Sequence, residues 1–453
     1  MGDAFRRPPL EAGILAAIPA TILAFALGSN WSPSVRADVQ PLRWGGLLAL
    51  CVLAVAYALW QGRPLLIRSR AYVAAGALIA LAFVSATWSV DPKLTLGKAL
   101  AFAVLLVTAA ALGIASARDV DAARRILVAV LAGAVAVALT GLALYAVKPG
   151  EAVQPATASV PTRFRGVGGN PNTVAMLLAI GLPLAAFLFL DGRSRRARMA
   201  AAAAFLLLAG SIVASGSRGA LTAGFGAVLF FALVAIPGWR RRALAAALVA
   251  GLLVLSAAVT QLPKPLSPND PRAHKKSPSG AVEHRTPNDA DYAFRLEDEI
   301  DAPHGAVAAP RRGLFVGSGR AEAWKGAIEQ GAHRPLLGFG FGAEDLAFVD
   351  RYYQFQGGVP ENSFIGFFLQ LGAVGLLIFL LFVATLVRAC VLGLRSVDQG
   401  GHRLAAACAA VLVAGLVLAV VQSYVYAVGN LATLSVWIAA FLPLAQAERW
   451  EAR

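Results

Sequence analysis

Charge is scarce in this sequence. Only 14% of its 453 residues are Asp, Glu, Lys or Arg, whereas 58% are hydrophobic and the mean hydropathy is +0.67. A water-soluble domain cannot hide that much apolar surface, so the composition excludes an ordinary globular protein and calls for a membrane as solvent. Negative charge is scarcer than positive: 25 acidic against 40 basic residues, a net charge of +15. The basic residues fall in short clusters between apolar runs, as topology signals do, so a nucleic-acid partner is rejected. The three cysteines, Cys51, Cys390 and Cys408, lie in or beside apolar runs without metal-ligand spacing or a disulfide framework. Phosphate loops, serine triads and zinc patterns are absent, so neither a cofactor nor a metal is expected. No cleavable signal peptide is expected, and the first apolar run is expected to act as a signal anchor.

What is present is a succession of apolar runs long enough to cross a bilayer. Twelve are expected, over 11–28, 44–60, 71–89, 94–115, 123–147, 173–190, 198–214, 218–236, 242–260, 363–387, 403–425 and 429–447. The expected fold is therefore an all-α integral membrane protein of about twelve transmembrane helices. It divides into an N-terminal bundle of nine spans (1–260), one large loop region with short helices (261–362) and three C-terminal spans (363–453). Alternate loops differ sharply in charge. One set carries clusters such as Arg68 and Arg70, Arg193 to Arg198, and Arg240 to Arg242; the other carries only Arg36, Arg43, Lys93, Lys98, Lys148, Arg163, Arg165 and Arg218. The positive-inside rule places the first set and both termini in the cytoplasm, and the 148–172 loop, the "SGSR" turn and 261–362 on the periplasmic or external face of a bacterial inner membrane.

The first part of 261–362 is rich in Pro, Ser, Asp and Lys and is expected to be mobile. Its acidic run "EDEID", Glu297 to Asp301, reads as a solvated charge run, and His274, His284 and His304 have no ligand spacing. "GSGRAEAWKGAIEQGA" then reads as a short helix with Ser318 at its N-cap. Arg320, Trp324 and Ile328 share one face of it, an arrangement suited to lying on the membrane with Trp324 at headgroup level. "RPLLGFGFGAEDL" follows as a Gly-rich turn, with His333 just before it.

Three outward loops end alike. "GGNPNTVAM", "SGSRGALTA" and "VPENSFIGF" each put Asn or Ser just ahead of an apolar run: Asn170 and Asn172 around Pro171, Ser215 and Ser217, Asn362 and Ser363. Such residues satisfy free backbone donors at a helix start, and Pro suits the first turn. Three helix N-termini on one face form an electropositive surface. Arg218 adds a full charge at one of them, Arg163 and Arg165 precede another, and Arg320 lies on the loop helix. Guanidinium forks match phosphate geometry, so these positions are candidates to hold an anion at the membrane surface. The bland alternatives are an arginine that snorkels to headgroups and Asn residues that only cap. Glu361, beside a cap and after Pro360, is a candidate general base; otherwise it complements the helix dipole.

The order "GGNPN", "SGSRG", "SGRAEAW" with "RPLLGFGFG", and "PENSFIGFFLQLGAVGL" resembles the bacterial O-antigen ligase and polymerase family over roughly 160–390. The resemblance implies a GT-C-like membrane glycosyltransferase without metal. It would move a glycan from undecaprenyl pyrophosphate to an acceptor glycan or a lipid A-core-like glycolipid, amid membrane lipids. It implies that Arg218 and Arg320 hold the pyrophosphate and that the residue before Asn362 activates the acceptor hydroxyl. Ligases usually carry His-Asn there; this chain carries Glu361-Asn362. Catalytic roles are thus expected for Glu361, Arg218 and Arg320, and substrate contacts for Arg163, Arg165, Asn170, Asn172, Ser217, Trp324, His333 and Asn362. The alternative is a flippase or transporter of lipid-linked glycan, whose internal repeats and broken helices in matching halves are not visible in the sequence.

Overall fold

The structure is a computed structural model and describes residues 9–30, 32–61, 69–117, 119–155, 162–260, 320–348, 359–396 and 398–451. Ser318, the 297–301 acidic run and the three loop histidines at 274, 284 and 304 lie outside the described residues. Among the described residues, eleven helices are long and apolar enough to cross a membrane. The chain is thus a helical multi-pass membrane protein. The helices are α1 (Pro9–Leu27), α2 (Pro33–Trp60), α3 (Arg70–Val84), α4 (Pro92–Ser116), α5 (Val120–Val147), the short α6 (Pro149–Ala152), α7 (Pro171–Asp191), α8 (Arg195–Ser215), α9 (Arg218–Ala235) and α10 (Trp239–Thr260). Beyond them come α11 (Arg320–Gly331), α12 (Glu344–Ala347), α13 (Ser363–Leu394), α14 (Gln399–Val421) and α15 (Leu431–Glu451). The apolar part of α15, Leu431–Gln446, is shorter than the eleven.

Local chemistry explains most boundaries. Side chains of Asp91, Asp119, Asn170, Ser194, Asn362 and Asp398 accept from backbone N–H groups at their helix starts. Proline follows Asp91 and Asn170 at the first helical position, where its missing N–H costs nothing. α7 is the most enclosed of the spans, packed among α5, α8, α9, α14 and α15, whereas α10 is mostly exposed. At one end of the bundle the basic clusters are tied to acids: Arg125 to Glu11 at 2.6 Å, Arg124 to Asp191 at 2.7 Å and Arg193 to Asp121 at 2.8 Å. The starts of α7, α9 and α13 lie at the other end.

The structure departs from the hydropathy reading in four places. α2 starts at Pro33, so Arg36 and Arg43 stand on a helix and not in a loop; their polarity masked its first turns. α14 stops at Val421, and the apolar run to 425 continues as an irregular turn, with the Tyr424 hydroxyl donating to the Gly415 carbonyl at 2.7 Å. The 148–172 loop holds α6 and a two-residue antiparallel ladder, Val153–Gln154 against Arg163–Phe164, a small exception to an all-α fold. Last, α13 is broken at Gly372, whose φ of 64° lies in the left-handed region. A side chain there would also meet the Leu336 carbonyl carbon at 2.2 Å. The opened backbone is satisfied by the Gly-rich turn: Ala373 N–H donates to Pro335 O at 2.7 Å, Phe339 N–H to Leu369 O at 3.0 Å and Gly340 N–H to Gln370 O at 2.8 Å. Asn362 therefore caps a short segment, residues 363–371, set apart from the long remainder of α13.

Candidate functional site

The link between α8 and α9 is only Gly216 and Ser217, with Gly216 left-handed at φ 62°. This tight turn puts Arg218 at the first helical position. Ser217 occupies the cap position but makes no side-chain cap bond, unlike Asn170 and Asn362; the Ser215 hydroxyl accepts the Ser217 N–H instead, at 3.2 Å. A cleft of about 50 Å³ opens beside the turn, lined by Asn172, Ser217, Arg218, Arg320 and Gln422 among others. Two arginines distant in sequence thus share one cleft, and Arg320 acts electrostatically on Arg218. Like charges held together at a half-buried place create a strong preference for an anion between them.

Arg320 begins α11 and also grips Glu361. Its Nε donates to Glu361 Oε2 at 2.8 Å, and its Nη2 donates to the same oxygen. Both side chains are about three-quarters buried, at 24% and 23% exposure, so this pair is shielded more than a surface salt bridge. Among the described residues, Glu361 is the one non-glycine residue with positive φ, at 48°. Such a backbone costs on the order of 1–3 kcal/mol and persists only where its surroundings fix it. Here they do: Trp324 Nε1 donates to Pro360 O at 2.8 Å on one side, and Asn362 Oδ1 accepts from Phe364 and Ile365 N–H on the other. α11 reaches this place because its small residues Ala323 and Ala327 are fully buried in a cluster with Leu369 and Phe339. Ile328, expected on the face of Arg320 and Trp324, is 49% exposed, since the packed face is the alanine one.

The other sequence-derived positions separate into distinct roles. Asn172 lines the cleft and accepts from Arg163 Nη2 at 2.5 Å, while Arg163 Nε donates to Ser215 O at 2.7 Å. Arg163 is thus a buried strut between the α7 start and the α8 end, behind the cleft. Arg165 is 2% exposed and donates to Glu151 O at 3.0 Å. Neither is among the residues lining the cleft. Asn170 caps α7 and faces a different, larger groove. His333 is exposed in the turn after α11.

One group escaped the sequence reading. Glu344, at the start of α12, is 5% exposed and surrounded by donors: Tyr426 Oη at 2.7 Å, Ser423 Oγ at 2.7 Å and Gln370 Nε2 at 3.4 Å. Burial pushes its carboxyl up to about 7, a rise that the hydrogen bonds from Tyr426 and Ser423 partly oppose. Ser423 also accepts the Asn362 N–H at 3.1 Å. A continuous chain therefore runs from Glu344 through Ser423 to the backbone beside Glu361. Tyr426 reaches Glu344 across Gly366, where a side-chain carbon would fall 1.7 Å from the Tyr426 hydroxyl oxygen.

The chain is thus a multi-pass helical bundle that gathers an arginine-lined cleft, a paired carboxylate and a buried acid at one end. Residues 202–380 match the family model described as O-antigen ligase, which supports the resemblance to the O-antigen ligase and polymerase family. The matched stretch contains Arg218, Arg320, Glu344, Glu361 and Asn362. No curated protein matches the chain. The family supports a membrane protein that transfers glycan from lipid-linked substrates.

Proposed function

We propose that this chain moves a glycan from undecaprenyl pyrophosphate to an acceptor glycan or lipid A-core-like glycolipid on the periplasmic face of a bacterial inner membrane, as a ligase or a polymerase. One observation carries this reading: Arg218 and Arg320 share a cleft, and Arg320 holds Glu361 at its edge. The cleft's 50 Å³ compares with ~30 Å³ for one water in the liquid. In this reading the small polar cleft receives the anionic group, and the glycan and the lipid tail extend beyond it.

In the proposed reaction, Arg218 and Arg320 bind the pyrophosphate. Glu361 accepts the proton of an acceptor hydroxyl through a carboxylate oxygen. The hydroxyl oxygen attacks the anomeric carbon and forms the new glycosidic bond. The bond from that carbon to the pyrophosphate oxygen breaks, and lipid pyrophosphate leaves with the electron pair, with inversion at carbon. Negative charge grows on the leaving oxygen, where the two guanidinium groups stabilise it more than in the ground state. No metal or other cofactor takes part in this scheme.

The test is reconstitution in liposomes with a lipid-linked donor and candidate acceptors, read as a product ladder. A single added block denotes ligation, repeated addition denotes polymerisation, and movement without joining favours the transporter reading. Arg218→Ala and Arg320→Ala are each expected to abolish joining while the purified proteins stay folded. Near-normal transfer by the double variant would sink the scheme.

A further inference from the structure

A second cavity, much larger than the arginine cleft, lies apart from it. It is a groove of about 1210 Å³ between α2 and α4, closed at one end by the α7 start and the turn before α15. The two cavities lie on opposite sides of the first turn of α7. Asn170 and Thr173 face the groove, whereas Asn172 and Met176 face the cleft. The turn between α14 and α15 divides them likewise, with Gln422 in the cleft and Gly429 and Asn430 in the groove.

The groove is graded along its length. α2 contributes Arg36, Arg43, Trp44, Leu47 and Leu48, which share one helical face. α4 contributes Lys93, Lys98, Ala101 and Val104 along its own face. On both helices the cations stand toward the N-terminal end and the apolar residues follow. From Lys93 to Val104 the lining descends about 16 Å along the axis, at ~1.5 Å per residue. Leu48 and Leu100 are 55% and 58% exposed, so the apolar walls continue into the lipid-facing surface of the bundle. Four basic side chains line the groove against one acid, Asp91, whose carboxylate already caps α4 through the Leu94 N–H at 2.9 Å. Arg43 lies over the aromatic faces of Phe25 and Trp44, at 5.3 and 5.0 Å; its Nη1 donates to the Gly28 carbonyl at 3.1 Å, and its Nε is buried without a hydrogen-bond partner. These cations stand near the helix starts at the basic-poor end of the bundle, where the positive-inside pattern gives no reason for them.

We propose that this groove is a second lipid site, which holds the phosphate-bearing headgroup and upper chain of an acceptor lipid. The charge gradient fits one shape: an anion at the polar end and a hydrocarbon chain leaving between α2 and α4. The acceptor role rests on the transferase reading above; the binding does not. The groove brings its occupant within one helix turn of the cleft, so that the acceptor approaches from the opposite side of α7 to the donor pyrophosphate.

The test uses the full-length protein in phosphatidylcholine nanodiscs and radiolabelled dodecyl phosphate as probe. Saturable binding is expected, with inorganic phosphate competing at least a hundredfold more weakly. Arg36→Gln with Lys93→Gln should weaken binding at least tenfold, and Leu48→Gln with Val104→Gln should weaken it for dodecyl but not for butyl phosphate. Arg218→Ala with Arg320→Ala should leave it within twofold. Unchanged binding in the Arg36/Lys93 variant overturns the site, as does equal competition by inorganic phosphate. Displacement of the probe by undecaprenyl pyrophosphate would make the groove the donor's and overturn the acceptor assignment. Binding that behaves as expected in a protein that never joins glycans leaves the groove standing and removes only the transferase reading.

Discussion

Glu344 offers a perturbation whose size follows from its surroundings. Its carboxyl is moved by burial from an ordinary 4.5 to about 7. At ~1.36 kcal/mol for each pH unit, that difference of about 2.5 corresponds to about 3 kcal/mol. The sign follows from proton linkage: the folded chain binds this proton more tightly than the unfolded chain. Below pH 4.5 both states are protonated and the contribution is complete. Between 4.5 and 7 the unfolded state ionises while the folded one keeps its proton, and stability falls. Above about 7 the folded carboxyl ionises too, and the contribution is gone. Glu344→Gln keeps the shape and one carbonyl acceptor for the Ser423 and Tyr426 hydroxyls but has no proton to lose.

Thermal unfolding of wild type and Glu344→Gln in detergent, followed from pH 4 to 8, isolates this group because all others titrate in both proteins. The midpoint gap should widen in favour of the variant as pH rises, by an amount corresponding to about 3 kcal/mol, and level off above about pH 7.5. Parallel curves would refute the claim that Glu344 is buried as an acid. The same variant should leave Glu361 in place, since the Ser423 hydroxyl still meets the Asn362 N–H.

Arg320→Lys keeps the charge but loses the fork that donates twice to Glu361; transfer should fall at least tenfold (about 1.4 kcal/mol in the barrier) in the liposome assay. Asn362→Ala removes the cap of the 363–371 segment and should lower stability by about 1 kcal/mol, read as a fall in the unfolding midpoint. Gly372→Ala meets both a left-handed backbone and the Leu336 carbonyl, so a loss of roughly 2 kcal/mol or more is expected, or failure to accumulate in the membrane.

The membrane-spanning helices were legible because the signal is local. Lipid selects runs of about twenty apolar residues, and Asn, Asp, Ser and Pro at their starts act within one turn. Where polar residues sit on a lipid-bounded helix, the signal fades, which is why the first turns of α2 read as loop. The broken α13 was hidden for a different reason. Gly372 is one glycine in an apolar run, and its conformation is set by the chain at 335–340, which fills the opened hydrogen bonds.

The site divides along the same line. Arg218, Arg320 and Glu361 could be singled out as candidates because each sits in a short recognisable stretch, although nothing in the sequence joined Arg320 to Glu361. Glu344 could not be found that way. Its partners Gln370, Ser423 and Tyr426 stand 26, 79 and 82 residues away, and no spacing rule links an acid to hydroxyls that distant. In the sequence it only ends the Gly-rich turn "RPLLGFGFGAEDL". The physical sign of its importance is the cost of burying a carboxyl, several kcal/mol unless neutralised or hydrogen-bonded. Only the folded chain reveals that cost. Arg163 and Arg165 show the converse: the residue type suggested an anion site, but backbone carbonyls at Ser215 and Glu151 reach them first. An arginine's place in sequence supplies its charge, but the nearest acceptor in the fold decides whether that charge braces the chain or meets a ligand.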